Sequence, residues 1–207
     1  MEGHRQKHDR EGQTFAKKVG KSVLPAFMDV YDDPTIGALN GLDLNGFYRV
    51  DDEGVKAQRA SLVEKGILKG FLMSRTPARG IARSNGHGRR QPGRPTVARQ
   101  GNLIVHPSRV TTAAALRQQL LAEIKRQGKP YGLRFALVEG GHTNTSRYSA
   151  QFFKVRPVMV YKVFPDGKEV LVRGADIEGT PLTSLSQILA AGDDMTVFNG
   201  HCGADFF

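Results

Sequence analysis

The chain has 207 residues, with 30 Lys and Arg against 20 Asp and Glu, one Cys and no Trp. At about 150 residues per domain this is one domain or slightly more, and an apolar share of 39% is enough to bury a core, which argues against wholesale disorder. A single cysteine excludes an internal disulfide framework and a zinc site built of cysteines alone, and no apolar run approaches the ~18 residues that suggest a membrane span. The polar run Met1-Glu2-Gly3-His4-Arg5-Gln6-Lys7-His8 has no apolar stretch behind it, so no signal peptide or membrane anchor is expected, and a cytoplasmic location is.

The net charge of +10 is local. Residues 65–122 hold two Lys, nine Arg and no acid, so this stretch alone carries +11 and the remainder is close to neutral. Such a stripe can bind phosphate backbones by releasing counterions. No helix-turn-helix, zinc-finger or ribonucleoprotein signature accompanies it. The favoured reading is an Arg-rich loop that pairs with carboxylates elsewhere or guides an anionic or peptide substrate; a basic binding module for nucleic acid or an acidic partner is the alternative.

In chain order, Val23–Tyr31 mixes apolar and β-favouring residues and Asp32-Asp33-Pro34-Thr35 closes it, which predicts a strand ending in a turn. Arg59–Glu64 and Ile67–Leu72 flank Lys65-Gly66 and predict a hairpin, the glycine supplying positive φ. From Ser74 to Pro107 the pattern dissolves into Arg, Gly, Pro and Ser, the signature of a long loop that is functional or mobile.

A capping Thr111 or Thr112, then Leu116, Leu120 and Ile124 at four-residue spacing, Lys125 and Arg126 at the end, and Gly128 beyond predict an amphipathic helix over about 112–127. Leu133–Glu139, Gln151–Val155 and Val158–Phe164 read as strands, and the Pro165-Asp166-Gly167-Lys168 turn returns into Glu169–Arg173. Thr180 and Pro181 open a short helix to about residue 191. The expected fold class is α+β, with a mainly antiparallel β-sheet.

Four features invite chemistry. His4 and His8 are four apart, the spacing of paired zinc ligands on one helix face, but Arg5 stands where a metallopeptidase helix carries its Glu, and Arg5, Lys7 and Arg10 oppose a dication. A surface or substrate contact is the better reading of that pair. Cys202 is open to three readings: a small buried hydrophobe, a nucleophile needing a nearby His, or a thiolate ligand to a borderline metal. The Gly-spaced loop Ser84-Asn85-Gly86-His87-Gly88-Arg89-Arg90 is either a flexible turn or a substrate-lining segment. Asn144-Thr145-Ser146, formally a glycosylation acceptor, reads as a polar turn.

Taken together, Glu2-Gly3-His4-Arg5-Gln6-Lys7, Glu11-Gly12-Gln13-Thr14-Phe15, Asp32-Asp33-Pro34-Thr35, Val50–Val55, Leu62–Leu72, Ser84–Arg89 and Asn199-Gly200-His201-Cys202-Gly203 resemble, in order, the TldD/PmbA family of zinc metallopeptidases, historically called modulators of DNA gyrase. The likeness runs from residue 2 to 203. It implies that residues 1–207 are part of a C-terminal catalytic domain that hydrolyses peptides at a zinc held by two His of an HExxxH helix and one Cys, the position of Cys202. It also implies a homodimer or a heterodimer with a paralogous subunit and a peptide substrate, for which the substrate-lining reading of the Gly-spaced loop offers Asn85, Gly86, His87, Gly88 and Arg89.

No His-Glu pair occurs anywhere in the 207 residues. By the resemblance the HE pair, the second His and the N-terminal domain fall before Met1, and His4 does not replace them. The expectation is therefore a truncated stretch of catalytic domain, inactive alone, with Cys202 as its metal ligand and with nucleic acid not a partner.

Overall fold

In the computed structural model, residues 1–3, 15, 17–78, 80–144 and 151–200 are described. They divide into two compact units, one formed by residues up to 108 with 195 onward, the other mainly by residues 109–194. Both are dominated by antiparallel strands, so the α+β expectation holds.

The first unit is built around β1 (Met28–Asp32), whose alternate residues Met28, Val30 and Asp32 are buried. The half-buried alternation is what one covered sheet face requires. The expected strand begins later than the sequence indicated: Pro25 accepts the Met28 N–H at 3.0 Å in a turn, so ladder pairing starts only at Met28. The sheet is completed by β4 (Ala60–Glu64), β5 (Ile67–Leu68) and β8 (Leu103–Pro107), in the order β5-β4-β1-β8.

The β4–β5 hairpin turns on Lys65 and Gly66, with φ of 48° and 76°. Two successive positive values define the turn whose twist matches that of its strands. A Cβ at Gly66 would also lie 2.8 Å from the Pro25 carbonyl oxygen, so this glycine serves both conformation and contact.

Strand β8 lies inside the segment 74–107 that composition marks as a loop. Its apolar triplet Leu103-Ile104-Val105 pairs with Tyr31, Val30 and their neighbours on β1, and only Ile104 of the three is buried. The Arg- and Pro-rich surroundings mask so short a strand, and Pro107 sits harmlessly at its end. Two further two-residue hairpins, β2 (Ala38–Leu39) with β3 (Leu42–Asp43) and β6 (Gly88–Arg89) with β7 (Val97–Ala98), decorate this unit. Its core includes Leu62, Val63, Leu68, Leu72, Met73 and Ile104.

In the second unit, helix α1 (Ala113–Arg126) matches its expectation closely. The Thr112 side chain accepts the Ala115 N–H at 3.3 Å, Lys125 and Arg126 occupy the last turn, and Gly128 follows with φ of 61°. The helix lies against β9 (Gly132–Asn144), with Ile124 its buried residue.

β10 (Phe152–Val163) is one strand where the sequence suggested two. Pro157 has no N–H for the ladder, and the pairing with β9 slips on either side of it, so the strand continues through an irregularity. β9 runs along one edge of β10, while β11 (Glu169–Val172) and β12 (Ile177–Gly179) share the other. Helix α2 (Pro181–Ser186) has Thr180 at its N-cap position without a side-chain cap bond, and occupies the first part of the span expected for it.

Candidate functional site

The first unit carries a cleft of about 410 Å³ between the outer strand β8 and the extended segment Met195–Gly200. Leu39, Leu44, Leu103, Val105, Met195 and Phe198 supply apolar walls, and Asn45, Gln100, Asn102 and Asn199 supply amides. None of its lining residues is charged, in a chain of net charge +10. Leu103, Val105 and Met195 are each about 45% exposed and Phe198 is 88% exposed, so the apolar wall faces outward.

Local hydrogen bonding explains why the cleft forms. Met195–Gly200 is tied to the β2–β3 hairpin: Asn40 Nδ2 donates to the Met195 carbonyl at 3.3 Å, and Asn199 Nδ2 donates to the Asp43 carbonyl at 2.7 Å. The Asn199 Oδ1 accepts the Asn45 N–H at 3.2 Å. The Asn40-Gly41 turn, with φ of 52° and 76°, places the hairpin for this.

The opposite wall, Gln100–Asn102, is held from below. Asp32 Oδ1 accepts the Gly101 N–H at 2.9 Å, and Asn102 Nδ2 donates to the carbonyls of Asp33 and Ile36 at 3.2 and 2.9 Å. Gly46 and Gly101 touch backbone to backbone, and a Cβ on Gly101 would lie 2.9 Å from the Gly46 carbonyl oxygen.

The loop 84–89 lies in the same unit. Its polar side chains are turned inward. Asn85 Oδ1 accepts the Met73 N–H at 2.8 Å and Asn85 Nδ2 donates to the Phe71 carbonyl at 3.0 Å. His87 is 0% exposed, and its Nε2 lies 3.1 Å from Oδ1 of the equally buried Asp32. Gly86 has φ of 75°, and its carbonyl accepts the Tyr48 hydroxyl at 2.9 Å. Burial pushes the Tyr48 phenol up to about 12, against the opposing pull of the Arg89 guanidinium.

Gly88 N–H donates to Asp51 Oδ2 at 2.9 Å. The Arg89 side chain, 38% exposed, lies over the Tyr48 ring and 3.3 Å from Asp52. In this structure, then, His87 presents no side chain to a ligand, and the part-buried Asn85 amide is engaged by the Met73 N–H and the Phe71 carbonyl. Asp32, Asn102 and Asn199, which organise the cleft, are the residues that sequence reasoning passed over. Asp32 and Asn199 stood inside motifs, but nothing local distinguishes a turn aspartate or an asparagine beside a glycine from one that shapes a wall.

The basic stretch is partly neutralised. Arg89 pairs with Asp52, Arg99 with Glu2, Arg117 with Glu169, and Lys69 lies 3.8 Å from Glu64. Each of these acids lies outside residues 65–122.

His4, His8, His201 and Cys202 lie outside the described residues, as does most of Asn144-Thr145-Ser146. Among the described residues no three His, Cys, Asp or Glu side chains gather into a group that could hold a metal ion. These residues therefore do not by themselves fit a zinc centre.

The first unit is thus a sheet-rich fold with an uncharged cleft along its outer strand, and comparison with known proteins is specific. Residues 4–204 match the family model described as PmbA/TldA metallopeptidase C-terminal domain, and the chain belongs to that family. A metalloprotease of Methanocaldococcus jannaschii is 28% identical over 208 residues, which is 98% of this chain and 42% of that protein. A TldD homolog of Buchnera aphidicola from Acyrthosiphon pisum, also named a metalloprotease, is 27% identical over 203 residues, 95% of this chain and 38% of that protein.

The fold recurs in the crystal structure of TldE from Thermococcus kodakarensis, with a TM-score of 0.61, 19% identity, and 89% of this chain and 38% of that chain covered. It recurs too in a Thermotoga maritima structure named as a modulator of DNA gyrase, with a TM-score of 0.64, 24% identity and the same coverage. The chain spans about two fifths of the length of the curated relatives it matches. No helix among the described residues is long and apolar enough to cross a membrane.

Proposed function

We propose that the chain serves peptide-bond hydrolysis as part of a zinc-dependent metallopeptidase. The observation that carries this reading is the match of residues 4–204 to the metallopeptidase domain, supported by a cleft whose lining includes Asn199 and Gly200, close to Cys202 in the sequence. Zinc, when bound, supplies a Lewis acid that lowers the pKa of water for attack on the peptide carbonyl.

The chain's own residues bind and orient. β8 is the outer strand of its sheet, and an extended peptide laid beside it would meet unpaired backbone groups while its side chains met Leu103, Val105 and Phe198. The Asn85–Gly88 loop supports this wall from behind, and Arg89 is its one side chain able to meet a substrate. Cys202 contributes a thiolate to the metal, and the remaining ligands and the general base come from outside the 207 residues, so the chain by itself hydrolyses no peptide. A paralogous second subunit completes the assembly, in line with the TldE likeness, and a cytoplasmic location is part of the same reading.

Zinc content is the direct test, measured on the protein co-expressed with its upstream coding region, with and without Cys202→Ser. Loss of bound zinc in the variant is the expected outcome; full zinc occupancy without the thiol removes Cys202 from the site. Binding of unrelated duplex DNA at physiological salt tests the alternative. It is expected to be no stronger than that of any cationic protein and unmoved by neutralising Arg89, Arg90 and Arg94.

A further inference from the structure

We infer that Asp32 and His87 form a buried, hydrogen-bonded pair that acts as the positioning device of the cleft wall Gln100–Asn102. The argument starts from Asn85. Its carboxamide orientation is unambiguous: turning it over would set Nδ2 against the Met73 N–H and Oδ1 against the Phe71 carbonyl, donor on donor and acceptor on acceptor.

With Asn85 so fixed, His87 Nδ1 faces two acceptors, the Asn85 carbonyl at 2.9 Å and Asn85 Oδ1 at 3.0 Å, and must carry hydrogen. The other ring nitrogen, Nε2, faces Asp32 Oδ1 at 3.1 Å, the oxygen that also accepts the Gly101 N–H at 2.9 Å. Asp32 Oδ2 is buried and accepts no hydrogen bond from the described residues. A bare Nε2 would set its lone pair against a lone pair of Oδ1, so one hydrogen lies between these two buried atoms and joins them.

The consequence is a continuous buried chain, Asn85 to His87 to Asp32 to the Gly101 amide, that ends in the cleft. The loop 84–89 thereby governs the cleft without lining it. Asp32 and His87 are positioning residues, acting through the Gly101 backbone. The inference depends on the proposed function only in taking the occupant of the cleft to be a peptide.

The test uses the 207-residue chain. Nitrogen-detected NMR of the histidine rings, with His87→Gln to assign the signal, is expected to show a hydrogen on His87 Nδ1. A bare Nδ1 would break the chain at Asn85 and overturn the pair. Gly101 amide exchange is expected to be slow in the native chain and about tenfold faster in Asp32→Asn, with core amides such as that of Leu62 unchanged.

A short fluorescein-labelled peptide of alternating Val and Thr is expected to bind the native chain about tenfold more tightly than Asp32→Asn. Equal Gly101 exchange in the two proteins refutes the positioning role. If Asp32→Asn fails to fold, the ring nitrogens and the Gly101 exchange rate of the native chain still decide the question, since an unprotected Gly101 amide there refutes the role equally. Absence of peptide binding to the native chain, with ring and amide signatures intact, refutes the peptide reading of the cleft and leaves the pair standing.

Discussion

Asn199 uses both ends of its carboxamide to clip onto the β2–β3 hairpin, donating to the Asp43 carbonyl at 2.7 Å and accepting from Asn45 N–H at 3.2 Å. One side chain thus does what a strand neighbour's peptide group would do, and it does so three residues before Cys202. Both bonds are exposed, so water competes for them. Asn199→Ala is expected to cost about 0.5–1 kcal/mol, at the low end for two hydrogen bonds. Its signature is faster Asn45 amide exchange with unchanged exchange in β1. Unaltered Asn45 exchange would show that the clip does not hold in solution.

Gly101 has no room for a side chain. A Cβ there would press on the Gly46 carbonyl oxygen and the Pro34 ring at 2.9 Å each, and backbone cannot yield as a flexible side chain can. Gly101→Ala is expected to destabilise the first unit by about 1–3 kcal/mol, read from the urea midpoint. A variant as stable as the parent would mean that the two loops are not in contact.

Tyr48 ties the fold to alkaline pH. Burial raises its pKa to about 12, against about 10 in an unfolded chain, so the folded state prefers the protonated phenol. The contribution is complete below about pH 10 and is lost as pH rises from there to about 12, because only the unfolded chain ionises in that window. Urea midpoints across this range are expected to fall more steeply for the native protein than for Tyr48→Phe. The variant should be less stable at neutral pH, since the Gly86 carbonyl loses its donor.

Glu169 carries the opposite dependence. Hydrogen bonds from Arg134 and then Arg117 hold its pKa down to about 2. Its stabilising effect is present above the unfolded value near 4.5 and disappears as pH falls toward 2. Glu169→Gln is expected to flatten the acid limb of the stability curve. Because Arg117 lies on α1, the variant should also raise helix amide exchange; an unchanged acid limb would show that these ion pairs are solvated rather than formed.

Much of the second unit was legible along the chain. Thr112, the four-residue recurrence of Leu116, Leu120 and Ile124, and Gly128 delimit α1 almost to the residue, because capping and amphipathic periodicity act within one turn of helix. Lys65-Gly66 likewise marks its hairpin, since positive φ is a property of the residues themselves. β8 was not legible. Three apolar residues among arginines and prolines carry no pattern, and Leu103–Pro107 becomes a strand only because β1, some 75 residues earlier, offers an unpaired edge. Pro157 misled in the other direction: a missing N–H interrupts a ladder locally, but pairing along the rest of β9 carries β10 through it.

The site divides in the same way. Membership in the metallopeptidase family follows from the order of residues along the chain, because a motif is a linear record of which groups the chemistry needs. The roles of Asn85 and His87 do not. Their spacing in a glycine-rich loop suggested substrate contact, whereas folding turns both inward and hands their influence to Asp32 and Gly101. Likewise the +11 stretch is a fact of sequence, but whether its arginines stand free depends on acids such as Glu2, Asp52 and Glu169, which only the tertiary fold brings within reach. Local propensity and charge are written in neighbouring residues; burial, pairing and the shape of a cleft arise between residues far apart, and only the folded chain decides them.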